Sequence, residues 1–144
     1  MLERYERKLE KRLASFSGSY MNNAKWKRLF QALSKNKVTV KKCLLQDIFD
    51  DVLREIEIPG EIDFNKTFNR TGINDIMIGG QGEFDTIEKV IFPATWTVSR
   101  TNQEETLSPF LYNQDIVNIK SIIESIGQFE LELEANQLIL YGYK

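Results

Sequence analysis

An α+β fold is predicted, with N-terminal helices and a mainly antiparallel sheet ending in a C-terminal β-hairpin preceded by a helix. Three observations carry it. Apolar residues recur every three or four positions through the first third; short apolar runs separated by Gly and Pro fill the middle; and Phe129, Leu131 and Leu133 alternate with Glu130, Glu132 and Glu134 near the end. The 144 residues are expected to form a single domain, 1–144, since a 42% apolar fraction with nine Phe and two Trp supplies a core. A chain of this size buries roughly 70% of its unfolded surface.

The elements follow in order. Leu2, Tyr5, Leu9, Leu13 and Phe16 form one stripe of a first helix, which Ser17-Gly18-Ser19 ends. Asn22 or Asn23 caps a second helix that buries Trp26, Leu29, Phe30 and Leu33, and Ser34–Lys37 reads as a turn. The alternating, β-branched Val38–Lys41 predicts a strand. Leu45, Ile48, Phe49, Val52, Leu53 and Ile56 then return to helical spacing, predicting a helix from Leu44 to Glu55, with Ile56–Ile58 able to start a strand before Pro59-Gly60. A short strand is expected within 61–68, a turn at Thr71-Gly72, an apolar run at Ile76–Ile78 and a flexible loop at Gly79–Gly82. Strands are expected over Phe84–Phe92 and Ala94–Arg100, with a polar loop over Thr101–Glu105. Asn113 or Asp115 caps a last helix carrying Ile116, Ile119, Ile122, Ile123 and Ile126, ended by Gly127. The hairpin then pairs the strand at Phe129–Glu134 with Gln137–Tyr143 through a turn at Ala135-Asn136.

Charge divides the chain. Residues 1–42 hold 12 Lys/Arg against 3 Glu, a net of +9, and residues 43–144 carry −11, so the overall −2 conceals a strongly basic helical segment beside an acidic remainder. Such asymmetry points to a charged partner or to one half folding onto the other. The chain has no His and one Cys, Cys43. A His-based general base, a Ser-His-Asp triad and a structural zinc site are therefore excluded within one chain. Cys43 is expected to be a buried apolar residue, and a lone thiol suits a reducing compartment. The opening Met-Leu-Glu-Arg-Tyr-Glu-Arg has no apolar core of a secretory signal, and no run approaches the ~20 apolar residues of a membrane span. A cytoplasmic protein without cofactor, metal or membrane association is expected.

Three groups of side chains are candidates for function. Asp47, Asp50 and Asp51 fall on the polar face of the helix expected at 44–55, and Glu130, Glu132 and Glu134 line one strand face. Together they would make an acidic partner-binding surface, since complementary charge speeds and directs association. A solvated or edge-protecting face is the structural use of the same residues. Lys25, Lys27 and Arg28, next to Trp26 and Phe30, are the alternative: phosphate contacts for nucleic acid. Gly79-Gly80-Gln81-Gly82 is followed by Glu83-Phe84-Asp85 rather than Lys-Ser/Thr, so it is no P-loop.

Asn22-Asn23-Ala24-Lys25-Trp26-Lys27-Arg28-Leu29-Phe30 and the late Leu140-Tyr141-Gly142-Tyr143 resemble an uncharacterised family of small bacterial proteins with an Asn-Asn-x-Lys-Trp-x-x-Leu-Phe opening and a Tyr-Gly-Tyr ending. The resemblance implies a bacterial source and brings no catalytic residues. In general character the chain also resembles bacterial toxin-immunity proteins. The expected function is a non-catalytic, protein-binding inhibitor of a basic toxin domain. A nucleic-acid-binding accessory protein is the alternative.

Overall fold

The computed structural model describes residues 2–75, 80–101 and 106–144; side chains 2, 3, 5, 75, 80–81, 99–101 and 106–108 are outside that description. Its class is α+β, with α1 (Leu2–Ala14), α2 (Asn23–Lys35), a one-turn α3 (Phe64–Thr67), α4 (Ile116–Glu124) and nine strands. A five-stranded antiparallel sheet runs in the order β2 (Arg54–Ile56), β1 (Cys43–Asp47), β5 (Ile87–Pro93), β9 (Gln137–Tyr141), β8 (Leu131–Leu133). Two hairpins stand apart from it: β3 (Gly72–Asp75) with β4 (Gly80–Glu83), and β6 (Thr95–Thr101) with β7 (Thr106–Asn113).

Period-two alternation places Cys43, Leu45, Ile56, Val90, Phe92, Leu138 and Leu140 on one sheet face, all of them buried. Helices α2 and α4 supply the opposing layer through Trp26, Leu29, Phe30 and Leu33, and through Ile116, Ile119 and Ile123. Asn22 caps α2 by accepting from the amide of Lys25 at 2.8 Å, and Asp115 caps α4 by accepting from Asn118 at 3.0 Å. An aromatic run extends the core, with Phe30 stacked on Phe68 at 4.6 Å, on Trp26 at 5.9 Å and on Phe84 at 6.0 Å. Cys43 is fully buried, as expected, and burial pushes its thiol pKa far above the ordinary value, so it remains an unreactive thiol.

The segment that follows α1 meets the last residues of the chain. Tyr20 N donates to Gly142 O at 2.9 Å, and Ser17 and Gly18 donate to Lys144 O at 2.8 and 3.0 Å. A Cβ on Gly142 would lie 2.4 Å from Ile87 O and 2.9 Å from Trp26 Cζ2, so only glycine lets the chain pass there. The Asn22–Phe30 stretch and the Tyr-Gly-Tyr stretch are therefore two sides of one packing junction. Arg12 ties α1 to the sheet, donating to Ile48 O at 2.5 Å and pairing with buried Glu88 at 3.1 Å. Glu88 sits where the β1–β5 register slips between Gln46 and Asp47, and its other oxygen accepts from Gln46 at 3.0 Å.

Several sequence expectations are corrected. No helix spans 44–55: Cys43–Asp47 is β1 and Arg54–Ile56 is β2, paired as a hairpin. The helical spacing was produced by a loop, in which Ile48 is buried while Val52 and Leu53 are exposed. Val38–Lys41 is no strand. Thr39 and Val40 donate back to Asn36 O, closing a turn that leaves Val38 almost wholly exposed. Residues 61–68 form a 3-10 turn and α3 instead of a strand, because Phe64 and Phe68, four apart, both reach the core. Gly80–Gly82 belongs to β4 rather than a loop, and β7 was not anticipated. Ile76–Ile78, Gly79 and 102–105 of the expected polar loop lie outside the described residues, as do the side chains of Leu2 and Tyr5.

Candidate functional site

The first acidic group occupies the β1–β2 connection. Asp47 Oδ1 accepts from the amides of Phe49 at 2.7 Å and Asp50 at 3.2 Å, while Asp50 Oδ1 accepts from Val52 at 3.0 Å. Asn and Asp offer the backbone such local bonds in competition with helix. Arg54 closes the loop, pairing with Asp50 at 2.9 Å and Asp47 at 3.4 Å. Its hydrogen bond, reinforced by the Val52 amide, holds the Asp50 carboxyl below the usual carboxylate range. Two of the three carboxylates are thus engaged in shaping a turn, and Asp51 is exposed.

The second acidic group has Glu132 on β8 and Glu130 and Glu134 flanking it. Glu132 and Ile139 are register partners, so the three glutamates share the sheet face turned away from α2 and α4. Each is held by a neighbour: Tyr141 OH donates to Glu132 at 2.5 Å, Gln137 Nε2 donates to Glu134 at 3.1 Å, and Lys144 Nζ pairs with Glu130 at 3.5 Å. Burial first, and then the bond to Glu132, push the Tyr141 phenol up to about 12. The β8 group and the β1–β2 group stand at opposite ends of the strand order. The six acidic residues therefore form two surfaces. Leu131 packs partly against the core, whereas Leu133 stays 44% exposed.

The basic candidates also separate. Lys25 Nζ donates to Tyr20 O at 2.9 Å and Gln128 O at 2.7 Å and lies 4.9 Å from the Phe129 ring centre, so it serves as a strut between α2 and the approach to β8. Arg28 is exposed and Lys27 half-buried, the latter sharing a groove with Arg70. Trp26 and Phe30 are buried and offer no stacking surface.

A further surface was not read from the sequence. In the β6–β7 hairpin, Trp96 pairs with Tyr112 and Val98 with Phe110, placing all four on one face. The Trp96 and Tyr112 rings stack at 6.0 Å, and Phe110 lies 6.1 Å from Tyr112. Val98, Phe110 and Tyr112 are 46%, 47% and 43% exposed, and Leu111 on the reverse face is 67% exposed. None of the described side chains of this hairpin is charged. Its base is fixed by buried Gln114, whose Oε1 accepts from Lys41 N at 2.8 Å and Lys42 N at 3.0 Å while Nε2 donates to Lys42 O at 2.9 Å and Pro93 O at 2.7 Å. Ala94 N donates to Asn136 O at 2.8 Å, which sets the hairpin base beside the β8–β9 turn and Glu134. The alternation of Trp96 and Val98 was the available signal; the pairing with Phe110 and Tyr112 was not local.

Among the described residues, no three His, Cys, Asp or Glu side chains stand close enough to hold a metal ion, and no helix is long and apolar enough to cross a membrane. No protein-family model, curated protein or solved structure matches the chain.

Proposed function

We propose that this is a non-catalytic protein-binding domain, acting in the cytoplasm as an immunity-type inhibitor of a toxic protein. The observation that carries the reading is the β6–β7 face: Trp96, Val98, Phe110 and Tyr112 side by side and partly open to solvent, with Lys42 Nζ at its edge, 5.4 Å from the Trp96 ring centre. Aromatic residues clustered in a charge-poor centre with a charged surround are what protein interfaces use for affinity. Stacked rings on a strand pair lose little rotamer freedom on binding, so more of the buried area appears as affinity. Glu134 next to the hairpin base, with Glu130 and Glu132 beyond it, supports steering of a basic partner toward that face.

The test is neutralisation. The chain is co-expressed with the product of its neighbouring gene, and growth and complex formation are measured. Rescue with a stoichiometric complex, lost in a folded Val98→Lys, Tyr112→Lys double variant, is the expected result. Undiminished rescue by that variant, or absence of any complex with rescue failing, overturns the reading.

A further inference from the structure

We infer that β8 is an open docking edge that accepts an extended partner segment, added antiparallel as a sixth strand, with side chains alternating between Lys/Arg and apolar residues. The inference rests on the protein-binding reading above and names the partner chemistry of one surface.

The backbone geometry comes first. Tyr141 N donates to Glu130 O at 2.9 Å and Glu134 N to Gln137 O at 2.8 Å, so the even-numbered residues turn their peptide groups toward β9. In an antiparallel ladder the peptide groups of alternate residues point to opposite edges. The N–H and C=O groups of Leu131 and Leu133 therefore point away from β9, and β8 ends the strand order among the described residues. An exposed edge of this kind templates a further strand.

The side chains specify the occupant. On the helix-side face, Leu133 is 44% exposed while Leu138 beside it is fully buried, so the apolar layer stops short at this edge. An apolar residue opposite Leu133 would continue it. On the other face stand Glu130, Glu132 and Glu134, each held through one oxygen by a neighbour. The second oxygen of each carboxylate has no partner among the described residues. A basic residue at every second position of the added strand would meet these oxygens without reorganising them. The same charges reject a second copy of this edge, which would set Glu against Glu, so self-pairing is disfavoured while a basic strand is admitted. All strand pairs of the sheet are antiparallel, the hand in which the residue directly opposite Leu131 or Leu133 exchanges both bonds with it.

That register gives a sharp test. The probe is the capped heptapeptide Lys-Val-Lys-Val-Lys-Val-Lys. With Val opposite Leu131 and Leu133, the Val amides face β8 and the Lys amides face away. N-methylation of the three Val residues is expected to weaken binding at least tenfold, whereas N-methylation of the Lys residues leaves it within about twofold. Saturating peptide should slow hydrogen exchange at the Leu131 and Leu133 amides, and the variant E130Q/E132Q/E134Q should lose most of the salt dependence while still folding. No binding at millimolar peptide, equal affinity for the two methylated forms, or unchanged exchange at Leu131 and Leu133 each overturn the inference. A chain that binds its toxin through the hairpin while these amides stay unprotected keeps the inhibitor reading and discards strand addition.

Discussion

Replacing Gln114 with Leu should cost this protein a large share of its stability and release the β6–β7 hairpin from its fixed position. Gln114 is buried and makes four hydrogen bonds, to Lys41 N, Lys42 N, Lys42 O and Pro93 O, all between 2.7 and 3.0 Å. A net contribution of about 1 kcal/mol per bond gives roughly 4 kcal/mol for the set, and Leu leaves the four backbone groups without a replacement. Urea unfolding should show the loss as a lower midpoint with little change in slope. Gln114→Glu sharpens the case. Its carboxylate still accepts from Lys41 and Lys42 but faces the carbonyls of Lys42 and Pro93 that Gln donates to. Only the protonated acid restores a donor, so the folded state raises this group's pKa. The variant should be weak at pH 7 and regain stability as pH falls through that raised value. A loss under 1 kcal/mol for Gln114→Leu, or no recovery of Gln114→Glu in acid, would refute the role assigned to this side chain.

Gly142→Ala should destabilise by roughly 1–3 kcal/mol, since its methyl meets Ile87 O and Trp26 and the backbone there cannot yield; a change under 0.5 kcal/mol in thermal or urea unfolding contradicts the packing. The single variants Val98→Lys and Leu111→Lys, at exposed positions of the hairpin, should stay within about 0.5 kcal/mol of the parent, and a larger drop would mean that the face is buried in the free protein. Tyr141, raised to about 12, contributes stability that is complete below pH 10 and falls away between pH 10 and 12, because the unfolded phenol ionises first. Ultraviolet titration should find Tyr141 ionising late, and earlier in Glu132→Gln. Asp50, depressed by Arg54, adds stability above the ordinary carboxylate range that is lost as pH falls through its folded value. Its NMR titration midpoint should rise in Arg54→Gln, and an unmoved midpoint would show the pair to be ineffective.

What could be read from the sequence was what local pattern decides. Trp26, Leu29, Phe30 and Leu33 bury as one helical stripe, Asn22 and Asp115 cap their helices, and the Glu–Leu alternation of 130–133 yields an edge strand. Glu130, Glu132 and Glu134 were legible as one face because the period-two alternation fixes it, although Leu133 opposite them stays 44% exposed. The reading failed where long-range pairing overrides spacing. Leu45 through Ile56 has helical periodicity, yet Leu44 and Leu45 pair with Ile91 and Val90 far along the chain, and the Asp47 and Asp50 side chains satisfy the loop amides a helix would have used. The hairpin face escaped for a related reason. Pro109 removes a donor from the 106–113 stretch and weakens its strand signal; the described register shift between Val98 and Arg100 absorbs it opposite. Nothing local announces that Tyr112 will stand across from Trp96.

The charge division outlasts folding. Of the twelve cations in residues 1–42, Arg12 and Lys42 are the ones that pair with carboxylates of the acidic remainder among the described residues, at 3.1 and 3.9 Å. Arg4, Arg7, Lys8, Lys11, Arg28, Lys35, Lys37 and Lys41 remain exposed. Lys8 also lies beside the acidic loop, 5.2 Å from the Phe49 ring centre, and, after Arg54 and the Val52 amide, helps to lower the Asp50 carboxyl, so docking of α1 neutralises the acidic half only in part. Among the described residues, Arg4, Arg7 and Lys11 form no ion pair with Glu130, Glu132 or Glu134, so the outer face of α1 can be altered without breaking a contact of β8. Arg4→Glu with Arg7→Glu and Lys11→Glu should abolish retention on heparin and any binding to single-stranded DNA, whose affinity would otherwise fall steeply with salt. The same triple variant should leave the Lys–Val peptide affinity within about twofold at 0.15 M salt. Under the inhibitor reading, neutralisation also survives it. If neutralisation is lost while peptide binding persists, the basic helix is the surface that meets the target, and the nucleic-acid or acidic-partner alternative displaces the inhibitor mechanism argued from the hairpin and β8.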